Sequence, residues 1–139
     1  MGAGPAGADL AVGLARAGVS VALVERFSRP EQAAFSSAAL PLKALQQYGL
    51  PAEVVASRWS GWQLIGPADQ TRVWQQASAL GAVLDFGALR RWQLEQAQRW
   101  GAQVLLGCTA LSCGHDLAAT DGLLTQLRHR DGRRTSLQS

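Results

Sequence analysis

Six residues near the start of the chain, Gly2-Ala3-Gly4-Pro5-Ala6-Gly7, and one carboxylate, Glu25, have the types and spacing to hold a dinucleotide. Gly2 permits a tight turn. Gly4 presents bare backbone to an approaching pyrophosphate, and Gly7 lets a helix lie close against a strand. Pro5 suits the first helical turn, where its missing N–H costs nothing. The N–H groups of that turn, with the positive end of the helix dipole, attract phosphate. Glu25 follows roughly twenty residues on, at the end of an apolar strand, where a carboxylate accepts a hydrogen bond from a ribose 2′-hydroxyl.

These groups work together only if the residues between them fold as turn, helix and strand. A helix beginning at Pro5 is expected to stop at Gly18, with Arg16 in its last turn. Gly7, Ala11 and Leu14 share the face that meets a sheet. Asp9, about 200° from Gly7 at 100° per residue, points to solvent. Val19-Ser20-Val21-Ala22-Leu23-Val24 is the strand that delivers Glu25. A buried strand should precede the glycine turn, and only Met1 does. The sheet is therefore expected to lack its first strand, and the isolated chain to bind a nucleotide poorly. Glu25, as a strand-end carboxylate facing the site, is expected to support nothing else, so its removal should leave the ligand-free fold intact.

Residues 2–26, ending in Val-Ala-Leu-Val-Glu-Arg, resemble the N-terminal FAD site of the glutathione-reductase superfamily. The nearer resemblance is to the branch holding para-hydroxybenzoate-hydroxylase-type monooxygenases and geranylgeranyl reductases. It implies FAD as cofactor, with Gly2, Gly4, Pro5, Ala6 and Gly7 at the pyrophosphate, Glu25 on the adenosine ribose and Arg26 beside it. It implies NAD(P)H as electron donor in the complete enzyme, and a small-molecule or isoprenoid-type substrate. No catalytic residue is assigned to this chain, because the family's second flavin motif, a Gly-Asp pair, belongs beyond Ser139. An arginine that the family often carries just before a later helix is replaced here by Gly87. An NAD-binding Rossmann domain, which Glu25 suits equally, and an inactive truncated gene product are the alternatives.

The expected fold class is α/β. It is a partial Rossmann-type FAD-binding domain without its first strand, with an inserted β-rich segment over 59–85 and a C-terminal antiparallel hairpin. One domain spans 1–139, and its βαβ remnant is 2–26. A short helix over 41–48 is stopped by Gly49, and strands at 62–65 and 71–76 surround the turn Gly66-Pro67-Ala68-Asp69. A helix over 86–100 turns Phe86, Leu89, Gln93, Ala97 and Trp100 inward, and residues 103–106 form a parallel strand. The two parallel strands are expected to flank the place of the missing one. Segments 123–130 and 133–138 flank Asp131-Gly132, a strong hairpin signal.

At 139 residues and 47% hydrophobic, the chain is one folded piece and not a disordered one. It shows no leader and no apolar run near the roughly 20 residues that span a bilayer, so a cytoplasmic protein is expected. A net charge of +3 does not argue for nucleic acid. Cys108 and Cys113 have the spacing of a flavin-linked redox pair but come too late in the chain. They read as buried or incidental thiols, Cys108 ending a late strand, and form no zinc site. His115 and His129 read as loop or surface residues, and Arg128, Arg130, Arg133 and Arg134 as a solvated face. Trp59, Trp62 and Trp74 read as packing residues in preference to the lining of a substrate cavity. Ser36 or Ser37 reads as a polar loop or helix N-cap before a cofactor contact.

Overall fold

The computed structural model describes residues 2–34, 36, 38–115 and 122–139. Along the chain the elements are α1 (Pro5–Arg16), β1 (Ala22–Glu25), β2 (Ala39–Pro41), α2 (Leu42–Gln47), β3 (Val55–Trp59), β4 (Gly61–Ile65), β5 (Thr71–Gln75), β6 (Gly81–Leu84), α3 (Phe86–Arg99), β7 (Gln103–Leu106), β8 (Cys108–His115), β9 (Leu123–His129) and β10 (Arg134–Gln138). They divide into two units, one of Met1–Ala33 with Arg90–Ser139 and one of Ala34–Leu89.

In the first unit, β1 pairs in parallel with β7, Ala22 opposite Gln103 and Glu25 opposite Leu106. The two strands are hydrogen-bonded neighbours, so the expected slot between them does not exist. Of the expected strand only Ala22, Leu23 and Val24, with Glu25 after them, lie in β1. Gly18, at φ +79°, and Val19 still finish α1, the Val19 N–H donating to the Leu14 carbonyl at 3.0 Å. The core holds Ala3, Ala8, Ala11, Val21, Leu23, Leu94, Ala97 and Ala102. Its alanines keep the helix surfaces low where they meet the sheet, and Leu23 and Leu94 each contribute about 1.5–3 kcal/mol by burial. Asp9 is exposed and Ala11 buried, as the helical period requires.

On α3 the buried stripe differs from the expected one. Trp100 lies past the last helical residue and is 48% exposed, with the Arg16 guanidinium 4.7 Å from its ring centre. Leu89 and Ala97 are buried as expected, and Leu94 and Arg90 join them where Trp100 does not.

The C-terminal hairpin is larger than expected. β9 and β10 pair around a turn with Gly132 at φ +87°, and β8 adds a third antiparallel strand in the order β10-β9-β8. Cys108 therefore begins β8, just after Gly107, and does not end the preceding strand. The Gly107 N–H donates to the Phe27 carbonyl at 2.9 Å, and its own carbonyl accepts from the Arg130 N–H at 2.8 Å. Two separate segments are thereby fastened to one turn.

The second unit contains an antiparallel sheet ordered β2-β6-β3 and a separate β4-β5 hairpin. The hairpin follows its turn signal, with Ile65 opposite Thr71 and Trp62 opposite Trp74. β2 is three residues long and includes Pro41, too short for an alternating pattern to register. Asp85 starts α3. Its Oδ1 accepts from the Ala88 N–H and its carbonyl from the Leu89 N–H, both at 2.9 Å. Among the described residues no helix is long and apolar enough to cross a membrane.

Candidate functional site

The glycine turn ends at Gly4, which caps α1 in extended backbone (φ −72°, ψ 171°) with no side-chain hydrogen bond to the first turn. Pro5 occupies the first helical turn, which carries no acidic residue of its own to offset the positive helix end. Gly7 is held against the turn, and a Cβ there would collide with the Gly2 carbonyl oxygen. Gly2 and Gly4 have open space where a Cβ would project. Ala6 is exposed beside them. The turn is thus rigid on its inner side and bare on its outer side, as a pyrophosphate requires.

Glu25 is buried and engaged by its own chain. Its Oε2 accepts from the Ala3 N–H at 3.1 Å and from Arg90 Nη2 at 3.4 Å, and its Oε1 accepts from the Phe27 N–H at 3.1 Å. Arg90 Nη2 also donates to the Ala3 carbonyl at 3.1 Å. Carboxylate and guanidinium together clamp the backbone of Ala3, inside the glycine turn. The expectation that Glu25 supports nothing else is therefore incorrect. A signal for Arg90 was present in the sequence: it shares a helical stripe with Phe86, Leu94 and Ala97, and a charge on an apolar stripe requires an opposite charge. Among the described residues, Arg90 Nε and Gln93 Oε1 are buried without a hydrogen-bond partner.

A cavity of about 290 Å³ lies beside Glu25, lined by Gly2, Glu25 and Arg26 on one side and Cys108, Thr109 and Ala110 on the other. The Arg26 side chain is laid over the Phe27 ring at 4.8 Å. The β8 residues were missed because their place in the wall depends on how β8 sits against β1. The Glu25 carboxylate has about four lone-pair directions, and three are used by its own chain.

The remaining candidates are dispersed, with one exception. His115 and Cys113 are exposed. Arg128, Arg130, Arg133 and Arg134 are exposed, with Arg130 donating to Ser28 Oγ at 3.0 Å and Arg133 to Asp131 at 2.7 Å. The Arg133 side chain, then its backbone N–H, holds the Asp131 carboxyl below its ordinary pKa, and Asp131 raises Arg133. Glu31 is also lowered, first by a backbone hydrogen bond and then by Arg91. Ser36 is exposed and its Oγ accepts from the Ala38 N–H at 3.2 Å, a local turn contact. Ser37 lies outside the described residues. The exception is His129, which is half-buried on β9 with Nδ1 3.2 Å from Cys108 Sγ and Nε2 2.8 Å from Thr135 Oγ1.

In the second unit, Trp62 and Trp74 are 65% and 44% exposed, with ring centres 5.9 Å apart. This pair does not serve the interior packing expected of it. With Trp59, Leu40, Pro41 and Leu80 it lines an apolar cavity of about 700 Å³.

No curated protein matches the sequence. Solved structures share its fold. A geranylgeranyl bacteriochlorophyll reductase-like protein from Thermoplasma acidophilum is 19% identical with a TM-score of 0.81, over 99% of this chain and 36% of its own. Aklavinone-11 hydroxylase, in complex with FAD and aklavinone, is 23% identical with a TM-score of 0.65, over 99% and 30%. A p-nitrophenol 4-monooxygenase from Pseudomonas putida is 16% identical with a TM-score of 0.70, over 99% and 37%. The chain spans about a third of the length of each. The model of the FAD binding domain matches residues 1–134, which takes in the glycine turn, Glu25, the whole second unit and all but the last five residues of the first. The chain belongs to the FAD binding domain family, and FAD is its cofactor.

Proposed function

We propose that this chain is the FAD-binding portion of a flavin-dependent oxidoreductase of the monooxygenase or geranylgeranyl-reductase type. The observation that carries the reading is the pairing of an open glycine turn with a cavity walled by a buried carboxylate. Gly2, Gly4, Pro5, Ala6 and Gly7 hold the pyrophosphate, through bare backbone and the helix end. Glu25 accepts from the adenosine ribose with its remaining lone pair. Arg26 and the start of β8 enclose the adenosine. Bound FAD supplies the hydride and oxygen chemistry that no side chain provides, with NAD(P)H as donor in a cytoplasmic setting. The tryptophan-lined cavity of the second unit supports a small apolar substrate, of aromatic or isoprenoid type.

The test is a titration of the chain with FAD and, separately, with NADH, followed by flavin fluorescence and calorimetry. FAD is expected to bind the isolated chain weakly, yet more tightly than NADH, and Gly4→Val to abolish binding, because the side chain fills the pyrophosphate position. Equal affinity for NADH, or an unaffected Gly4→Val variant, overturns the reading.

A further inference from the structure

We propose that Cys108 is a thiol modification site, activated by His129, at which a low-molecular-weight disulfide forms a reversible mixed disulfide that closes the adenosine cavity. The inference rests on the FAD reading for its consequence and on geometry alone for its chemistry. Cys108 and His129 face each other across β8 and β9 as register partners. Cys108 Sγ lies 3.2 Å from His129 Nδ1, and His129 Nε2 lies 2.8 Å from Thr135 Oγ1 on β10. A sulfur nucleophile, an imidazole base and a hydroxyl that orients the base thus stand in line. Three strands of one sheet fix the spacing, so the row is preorganised. Cys113, five residues away on the same strand, is exposed, and among the described residues no hydrogen-bond partner of its thiol is found.

Cys108 is 3% exposed but is among the residues lining the cavity beside Glu25, which gives a reagent a route to it through the place proposed for the adenosine. Arg26 lines the same space, and its charge favours a disulfide bearing carboxylates, since Glu25 is already paired with Arg90. In the step, His129 Nδ1 takes the thiol proton and the Cys108 sulfur attacks one sulfur of the disulfide. The S–S bond of the reagent breaks, and the departing thiolate takes the proton from His129. Cys108 and one reagent sulfur end as a mixed disulfide and the other reagent sulfur as a thiol, so Cys108 is oxidised and the reagent reduced. Thr135 positions His129 so that Nδ1 faces the sulfur.

The experiment treats the full chain with glutathione disulfide and reads each cysteine by peptide mass spectrometry over time. The expected result is an adduct at Cys108 that dithiothreitol removes and that excess FAD prevents. His129→Asn should slow the Cys108 reaction about tenfold or more while leaving Cys113 unchanged. Thr135→Val, which keeps the histidine, should slow it less and guards against a misfolded His129 variant. Labelling confined to Cys113, or a Cys108 rate that neither variant changes, overturns the proposal. The FAD affinity of the unlabelled chain reports separately on the cofactor site. Labelling at Cys108 without FAD protection supports the thiol site and removes the adenosine from this cavity.

Discussion

Glu25 and Arg90, 65 positions apart, form a buried carboxylate–guanidinium contact of 3.4 Å that also grips both backbone groups of Ala3. A residue chosen for its spacing to a glycine turn thus also holds that turn in place. Removing one partner strands the other as an unpaired buried charge, at a cost of about 3–5 kcal/mol. Glu25→Ala is therefore expected to lower unfolding free energy by that amount in urea titrations without FAD. A paired Glu25→Leu, Arg90→Met variant should recover more than half of the loss. An unchanged urea midpoint for Glu25→Ala would remove the clamp.

Gly4 and Gly7 should separate binding from folding. At Gly4 a methyl group enters open space, so Gly4→Ala keeps the ligand-free melting temperature and weakens FAD binding. At Gly7 the methyl meets the Gly2 carbonyl, so Gly7→Ala destabilises the fold by about 1–3 kcal/mol and weakens FAD binding too. Thermal melts and FAD titrations on the same preparations check both. Identical behaviour of the two variants would refute the distinction.

Gly81 lies beneath the Trp59 ring, and a Cβ there would overlap the indole. Gly81→Ala is expected to displace Trp59 and destabilise the second unit by about 1–3 kcal/mol. Tryptophan emission should shift to the red. Emission and melting unchanged from the wild type would show that Trp59 repacks freely.

The Asp131–Arg133 pair predicts the direction of one pH effect. The folded pKa of Asp131 is lowered by the Arg133 side chain and N–H. Its contribution to the turn is thus complete above the ordinary pKa of 3.8 and is lost as pH falls below it through the folded value. NMR titration of the Asp131 carboxyl should give a midpoint below that of Asp131 in the Arg133→Ala variant. Coincident midpoints would dissolve the pair.

Local signals in the sequence carried a definite share of the architecture. Glycine spacing, helix stops and the apolar run up to Glu25 determined the turn, α1 and the strand that follows. Turn chemistry determined the β4-β5 and β9-β10 hairpins, and a short apolar run determined β7. Each of these depends on residues within a few positions of one another. That the chain is an FAD binding domain was legible from the same first 26 residues.

Tertiary structure decided what those elements touch. That β1 and β7 are neighbours, that Arg90 reaches Glu25, and that β8 brings Cys108 to His129 all depend on strand and helix placement across long stretches of chain. No spacing rule constrains such pairs, because the free energy that selects them comes from burial and pairing in the assembled sheet and is absent from any isolated segment. For the same reason the carboxylate of Glu25 was visible in the sequence, while its duty to the fold was decided by a guanidinium on α3.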